Sequence, residues 1–116
     1  MIKNTIPAGD LRHRIAIQRL NPLQQPDSTG DLISSWQVLG KYWAFVRPLQ
    51  GRELVNAKQI VETISHQITM RVIGPISAKD RIVFINRVFG IDHIYRDQET
   101  NIYYHLLAHE LVGEQI

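Results

Sequence analysis

The 116-residue sequence predicts a mainly β fold, a small antiparallel β-barrel or sandwich with one short α-helix and long loops. Three observations support this prediction. Several segments alternate apolar and polar residues with the period of two that a half-buried strand shows. Aromatic and β-branched residues, which favour strands, are concentrated in these segments. Residues 51–60 are the one stretch that reads as a helix, and it is short.

The N-terminal part predicts an arm followed by a strand. Residues 1–10 form the predicted arm, because Pro7 and Gly9 are turn residues that interrupt a regular pattern. The next segment, residues 12–20, alternates as a half-buried strand does. One face of that strand carries Ile15, Ile17 and Arg19, and the other carries Arg14, Ala16 and Gln18.

A long polar loop is predicted over residues 21–33. It contains two prolines together with Asp27, Ser28 and Gly30. Loops of this length are uncommon in compact domains and tend to be functional or disordered. We therefore expect a connection that extends from the scaffold.

Two strand segments interrupted at Gly40 are predicted over residues 34–49, since aromatic and β-branched residues are frequent both before and after Gly40. The pattern breaks at Pro48 and Gly51. A helix of two to three turns is then predicted over residues 51–60. Its narrow apolar stripe at helical spacing consists of Leu54, Ala57 and Val61.

Four further strands are predicted in the C-terminal half. They cover residues 62–74, 81–86, 87–95 and 102–112, with a polar hairpin loop over 96–101. A tight turn is predicted at Asn86–Arg87, where Asn tolerates a positive φ.

Composition limits the classes of function. A chain of this length predicts a single domain over 1–116. Lysine and arginine number 13 against 11 aspartate and glutamate residues, a net charge of +2, which argues against a protein that coats nucleic acid. The nearest approach to a basic cluster is Arg12, Arg14 and Arg19, interpreted as a solvated strand face. The absence of cysteine excludes disulfides and thiolate chemistry. No signal peptide or membrane span is visible, so we expect a soluble protein made in a cytosol.

The sequence points to no catalytic, metal or cofactor site. His105 and His109 are four residues apart, but in a strand that spacing places them about 13 Å apart, too far for one ion. His66 lies on an apolar strand face and is interpreted as a core or interface histidine. Asp92 and His93 have no nucleophile motif nearby, and no phosphate-binding or zinc-protease motif is present. We therefore expect a binding or structural protein, not an enzyme.

The order of five motifs resembles the head-tail joining, or head-completion, family of tailed bacteriophages. The segment LRHRIAIQR (11–19), preceded by Gly9, is similar to the Gly-x-Leu-Arg-x-Arg-Ile strand with which that family opens. The segment WAFVRPLQGRELVNAKQ (43–59) resembles its Trp-Ala-x-Val-x-Pro-Leu-x-Gly-x-Glu stretch. Three further segments match in order, namely HQITMRV (66–72), DRIVFINRVFGI (80–91) and HLLAHE (105–110). Asn86 departs from the glycine that relatives often carry at the hairpin tip.

This resemblance implies a connector or stopper subunit of the virion. Such a subunit forms a ring, with twelve-fold symmetry following the portal, and closes the DNA-filled capsid. The partners implied are other copies of the chain, the portal or an adaptor protein, and the tail terminator or tail tube protein. Transient contact with packaged DNA in the channel is also implied. No cofactor or membrane contact is expected, and the protein is expected to be made in the host cytoplasm.

Three groups of candidate residues follow from this interpretation. A structural corner joins strand to helix, with Trp43, Phe45 or Val46 packed into the barrel and the break made by Pro48 and Gly51. The exposed side of the helix supplies the candidate subunit contacts Arg52, Glu53, Lys58 and Gln59, for which a solvated face is the alternative. The candidate channel gate is the polar loop, represented by Gln24, Gln25, Asp27, Ser28, Thr29 and Gly30.

Two other functions remain open from the sequence. One is a tail-side ring protein similar to a tail terminator. The other is a β-barrel module that binds nucleic acid or a small ligand. The second should show aromatic residues interleaved with basic residues on one strand face, and RIVFINRVF (81–89) comes nearest, although Phe84 and Phe89 are better explained as core residues.

Overall fold

The computed structural model describes residues 11–26, 32–71, 74–96 and 102–113, with backbone only for 21–26 and 32–34. The chain forms six strands and one helix in these residues. The strands are β1 His13–Pro26, β2 Leu32–Pro48, β3 His66–Arg71, β4 Arg81–Phe84, β5 Arg87–Arg96 and β6 Tyr103–Glu110. The helix α1, Gly51–Lys58, lies between β2 and β3.

The six strands close into a barrel in the order β1-β2-β3-β6-β5-β4, and every neighbouring pair is antiparallel. Closure leaves the barrel itself without an open sheet edge. The predicted mainly β class is confirmed.

The barrel interior is filled by residues that alternate along each strand. Ile15 and Ile17 point inward from β1, and Ile68 and Met70 point inward from β3, each at most 2% exposed. The rest of the buried cluster comes from the other four strands: Ala44, Val46, Ile82, Phe89, Ile91, Tyr104, Leu106 and Ala108. Burial of this apolar surface is the main force holding the barrel closed.

A second apolar cluster lies between helix α1 and the sheet. Ala57 from the helix packs with Leu49, Ile64 and Leu107, and Leu54 and Val61 border this cluster. The apolar stripe predicted from the sequence is therefore the side of α1 that packs. The helix ends at Lys58, two residues before the predicted end.

The structure corrects the predicted loop over residues 21–33. β1 continues to Pro26 and β2 begins at Leu32, with Gln25 paired to Ile33 and Pro26 to Leu32. The loop prediction is wrong at 21–26 and 32–33, and residues 27–31 lie outside the described residues, as does the predicted arm 1–10. The predicted interruption at Gly40 is a β-bulge, since Ile17 pairs with Gly40 and Gln18 with Val38, which leaves Leu39 unpaired.

β1 and β2 together extend beyond the barrel as a two-stranded ribbon. β1 pairs with β4 only as far as Gln18, and β2 pairs with β3 only from Ala44 onward. The ribbon consists of residues 19–26 and 32–39. Among the described residues, 19–26 and 32–37 pair only with each other, and 38–39 lie at the root of the ribbon beside Gln18. Eight residues at about 3.3 Å each reach about 26 Å, in keeping with extents of 58 × 28 × 24 Å.

Two turns differ from the sequence prediction. Strand β3 begins at His66, not at residue 62, because 62–65 turn back from the helix and Ile64 enters the second cluster. The β4–β5 hairpin has Ile85 and Asn86 as its two central residues, since Phe84 pairs with Arg87. The positive φ falls on Ile85, at 57°, and not on Asn86 as predicted.

The strand-to-helix corner has the predicted break, but of Trp43, Phe45 and Val46 only Val46 belongs to the barrel core. Pro48 ends β2, and Gly51 starts α1 with a φ of 59°, which favours glycine. Val46 is buried as predicted, whereas Trp43 is 54% exposed. Ala44 takes the inward position, so its neighbour Trp43 points outward. No helix in the described part of the chain is long and apolar enough to cross a membrane.

Candidate assembly surfaces

The root of the ribbon is fixed by two polar contacts that link β1 to the start of β4. Arg81 donates from Nε to the Gln18 side-chain oxygen at 2.6 Å, and its guanidinium lies over the Trp36 ring at 4.2 Å from the centroid. Arg19 forms a two-bond ion pair with Asp80, both distances 2.9 Å. These contacts anchor the ribbon where it leaves the barrel.

Asp80 is the buried half of that ion pair. Burial alone would raise the pKa of the Asp80 carboxyl, but the hydrogen bonds from Arg19 and the Ser77 backbone N–H, with the Arg19 charge, hold it below its ordinary value. The Asp80 side chain is therefore ionised at neutral pH and holds the 77–80 turn against the ribbon root.

The ribbon exposes large apolar side chains. Leu20 is 43%, Trp36 37%, Val38 49% and Leu39 42% exposed. The pairs Gln18–Val38 and Leu20–Trp36 place Leu20, Trp36 and Val38 on one face. Exposed apolar side chains on one face form a candidate interaction surface. Sequence reasoning missed this surface. The bulge at Leu39 determines which β2 side chains point outward, and residue alternation does not reveal a bulge.

Helix α1 and its C-cap carry the predicted subunit-contact residues, and Glu53 among them forms an ion pair within the chain. Glu53 accepts two hydrogen bonds from Arg47, at 2.9 and 2.8 Å, and Arg47 also donates to the Gln67 side chain. The hydrogen bonds and charge of Arg47 outweigh a smaller effect of burial and lower the pKa of Glu53. The Glu53 carboxylate therefore ties the start of α1 to β2.

The other predicted contacts lie on the exposed side of α1. The Lys58 ammonium donates to the Glu62 carbonyl at 2.8 Å, and Gln59 caps the helix end through its backbone N–H. Arg52 and Gln59 are exposed. The structure brings all four predicted residues onto one short helix or its cap.

A groove of about 300 Å³ runs beside α1. Its apolar floor includes Leu49, Ala57 and Leu107, and its rim includes Asn56, Gln67, His93 and Tyr95. Ile60, 59% exposed, lies at its edge. The molecule thus has a groove on its helix side, in contrast to the projecting ribbon.

His66 is the first residue of β3, and both of its ring nitrogens are engaged. Ser65 Oγ lies 2.8 Å from Nδ1, and Arg87 donates to Nε2 at 3.3 Å while bonding Glu110 at 2.9 Å. Burial and the Arg87 charge lower the pKa of His66, with a smaller opposing effect of Glu110. The ring also packs edge-on against Phe89. This is the predicted core or interface histidine, held neutral by its surroundings.

His105 and His109 both lie on β6, and each contacts different residues of the neighbouring strands β3 and β5. His105 is buried near Gln67 and Thr69, and its ring stacks on Tyr95 at 4.9 Å. His109 Nδ1 lies 2.8 Å from the Asp92 carboxylate. Within the described ranges no group of three or more histidine, aspartate or glutamate side chains could hold a metal ion.

The predicted gate residues are only partly described. Gln24 and Gln25 belong to strand β1 in the ribbon, so their backbone is extended and not a loop. Asp27, Ser28, Thr29 and Gly30 lie outside the described residues.

Two solved structures are similar to this fold. The solution structure of protein SF1141 from Shigella flexneri 2a matches with a TM-score of 0.73 and 25% identity, covering 94% of this chain and all of that one. A chain from the virion of a native gene transfer agent particle matches with a TM-score of 0.55 and 16% identity, covering 88% of this chain and 96% of that one. The search of curated proteins gives no match.

The family comparison agrees with the motif order found in the sequence. The model of the phage head completion protein family matches residues 6–111, nearly the whole chain. That range contains all six strands and the helix. The resemblance inferred from the motifs is confirmed, and the chain belongs to the phage head completion protein family, a family of structural virion proteins and not of enzymes.

Proposed function

We propose that this chain is the repeating subunit of a connector ring that closes the DNA-filled capsid below the portal and provides the tail attachment platform. The observation that carries the proposal is the ribbon of β1 and β2 that leaves the closed barrel. A two-stranded ribbon is marginally stable on its own in water. Its exposed apolar residues therefore favour contact with another molecule.

A ring needs two different surfaces on each subunit, because head-to-tail contacts join unlike patches and close only when the rotation between copies fits. The projecting ribbon is one such surface. The helix side, with its groove and with Arg52, Glu53, Lys58 and Gln59, is the other. Glu53 would take part together with its partner Arg47, since the two are already bonded. Twelve copies would match the symmetry of a portal.

The proposed partners lie above and below the ring. The portal or an adaptor protein binds on the head side, and the tail terminator or tail tube protein binds on the tail side. The ribbon tip is the proposed gate of the DNA channel. Deleting residues 24–30 should leave assembled heads that lose their DNA, and unchanged DNA retention would remove the gate role.

A knockout in the parent phage tests the function. We expect DNA-filled heads that leak their DNA beside free, complete tails, because head filling and tail assembly precede the joining step. Unfilled heads or tails of aberrant length would contradict the proposal, and the second result would favour a tail-side ring protein.

A further inference from the structure

Charge is distributed unevenly over the barrel. Strands β1, β2 and β3 contain five lysine and arginine residues and no aspartate or glutamate. Two of the five are paired with carboxylates from elsewhere, Arg19 with Asp80 and Arg47 with Glu53. The other three, Arg14, Lys41 and Arg71, are exposed and form no ion pair with any residue in the described ranges. A local excess of positive charge therefore exists in a chain that is nearly neutral overall.

The strand register brings these three cations together around one exposed aromatic ring. Arg14 pairs with Trp43, and Lys41 is two residues before Trp43 on the same face of β2. Ala44 pairs with Met70, which places Arg71 beside Trp43 on β3. We call Arg14, Lys41, Trp43 and Arg71 the basic face.

The basic face points away from the barrel core. Its sequence neighbours Ile15, Ala44 and Met70 are at most 1% exposed and point inward, so Arg14, Trp43 and Arg71 point outward. Adjacent strands are about 4.8 Å apart, so the row from Arg14 across Trp43 to Arg71 spans about 10 Å. The Arg14 guanidinium lies 5.0 Å from the Trp43 ring centroid, and Trp43 remains 54% exposed.

We propose that the basic face binds the phosphate backbone of duplex DNA. Three cations that form no ion pair with any described carboxylate are complementary to a row of phosphates, which follow one another at about 3.4 Å per strand along the helix axis. The exposed Trp43 ring between them provides an apolar contact for the sugar edge. This inference rests on the proposed function and deepens it, because in a ring the basic face is then the surface turned toward the channel.

The strength of the contact is set by the small number of cations. Neutralising about three phosphates gives a slope of log affinity against log salt of about −2.7, since each contributes about −0.9. Such a contact is weak at physiological salt for one subunit. DNA can therefore move past the face, while several copies in a ring act together.

The test is a titration of a fluorescently labelled random-sequence duplex of about 25 base pairs with the purified full-length protein at a series of low salt concentrations. Each of Arg14→Gln, Lys41→Gln and Arg71→Gln should reduce the salt slope by about 1 and weaken binding several-fold. The matched control is Lys79→Gln, which removes one exposed positive charge from the turn before β4 and should leave the slope unchanged.

A second readout locates the contact. In a Trp36→Phe background Trp43 is the remaining tryptophan, and duplex DNA should change its emission. No binding at about 25 mM salt, unchanged slopes in the three variants, or an equal effect of Lys79→Gln would overturn the inference. If DNA binding fails while the phage knockout still gives leaking heads, only this inference fails. If DNA binds but the knockout gives unfilled heads, only the connector proposal fails.

Discussion

Two carboxylates, Asp80 and Glu53, each pair with an arginine, but they contribute unequally to the stability of the fold because their burial differs. The Asp80 side chain is 1% exposed and Glu53 is 56% exposed. Solvent screens an exposed ion pair, so such a pair contributes little to stability. Removing the charge of a buried carboxylate costs more, because the hydrogen bonds that it accepts lose strength. Residue chemistry alone does not distinguish the two, and the sequence therefore singled out neither pairing.

Asp80→Asn should lower the free energy of unfolding by about 2 kcal/mol at neutral pH, because charged hydrogen bonds at a buried carboxylate are lost. The folded-state pKa of Asp80 is lower than in the unfolded chain. Its contribution is therefore complete above the ordinary value of 3.8 and is lost as the pH falls through the lowered pKa. Urea unfolding of wild type and variant should show a difference that shrinks below about pH 4. A difference that is constant with pH would contradict this account. Glu53→Gln, as the exposed control, should cost less than about 1 kcal/mol.

Ile85 is a strained residue at the tip of the β4–β5 hairpin. A β-branched residue at a φ of 57° is disfavoured, and a two-residue hairpin with positive φ at its first central position ordinarily has glycine there. Ile85 is 72% exposed, so its removal loses little buried surface. Ile85→Gly should therefore raise the free energy of unfolding by about 1 kcal/mol, measured by thermal or urea unfolding. Asn86→Gly, the neighbouring control, should give no gain, and an equal gain in both would contradict the assignment of strain to Ile85.

At the scale of elements, the alternation of apolar and polar residues located the strands but not the residues at which they end or turn. Residues 21–26 contain two prolines and were predicted as loop, yet a ribbon strand without a third partner tolerates proline because one side of its backbone needs no ladder bond. Alternation also continued through Ile64, which is buried, but in the cluster under α1 and not in the barrel. At Trp43 and Ala44 both residues are apolar, so no pattern could tell which one faces inward. The candidate contacts on α1 could be predicted, because helical spacing shows which side of the helix is exposed. The apolar ribbon surface could not, because it depends on the bulge at Leu39.

The apolar face of the ribbon should matter for assembly and little for folding. The double variant Leu20→Thr/Val38→Thr places β-branched residues, which favour strands, at both positions while replacing exposed apolar groups, so thermal unfolding should shift by only a few degrees. The yield of infectious phage should fall at least ten-fold when the variant is supplied to a knockout. The matched control Ile102→Thr/Val112→Thr removes exposed apolar groups elsewhere and should complement fully. Full complementation by the ribbon variant would show that its apolar face has no partner.

At the scale of the whole molecule, the residues that stabilise the closed barrel differ from those available to contact other molecules. Its core is filled from all six strands, so the ribbon, helix α1 and the basic face can contact other molecules without exposing the interior. The sequence predicted the mainly β class and, through the motif order, the family. It left a barrel and a sandwich both open, because the choice between them depends on the pairing of β1 with β4, which are far apart in the chain.

The most direct test of the central claim is cryo-electron microscopy of the head–tail junction in the mature virion of the parent phage. The account predicts a closed ring of copies of this chain between the portal and the tail, with the β1–β2 ribbons and the basic faces directed toward the DNA channel. A junction in which this chain is absent, or in which it forms part of the tail tube, would contradict the account.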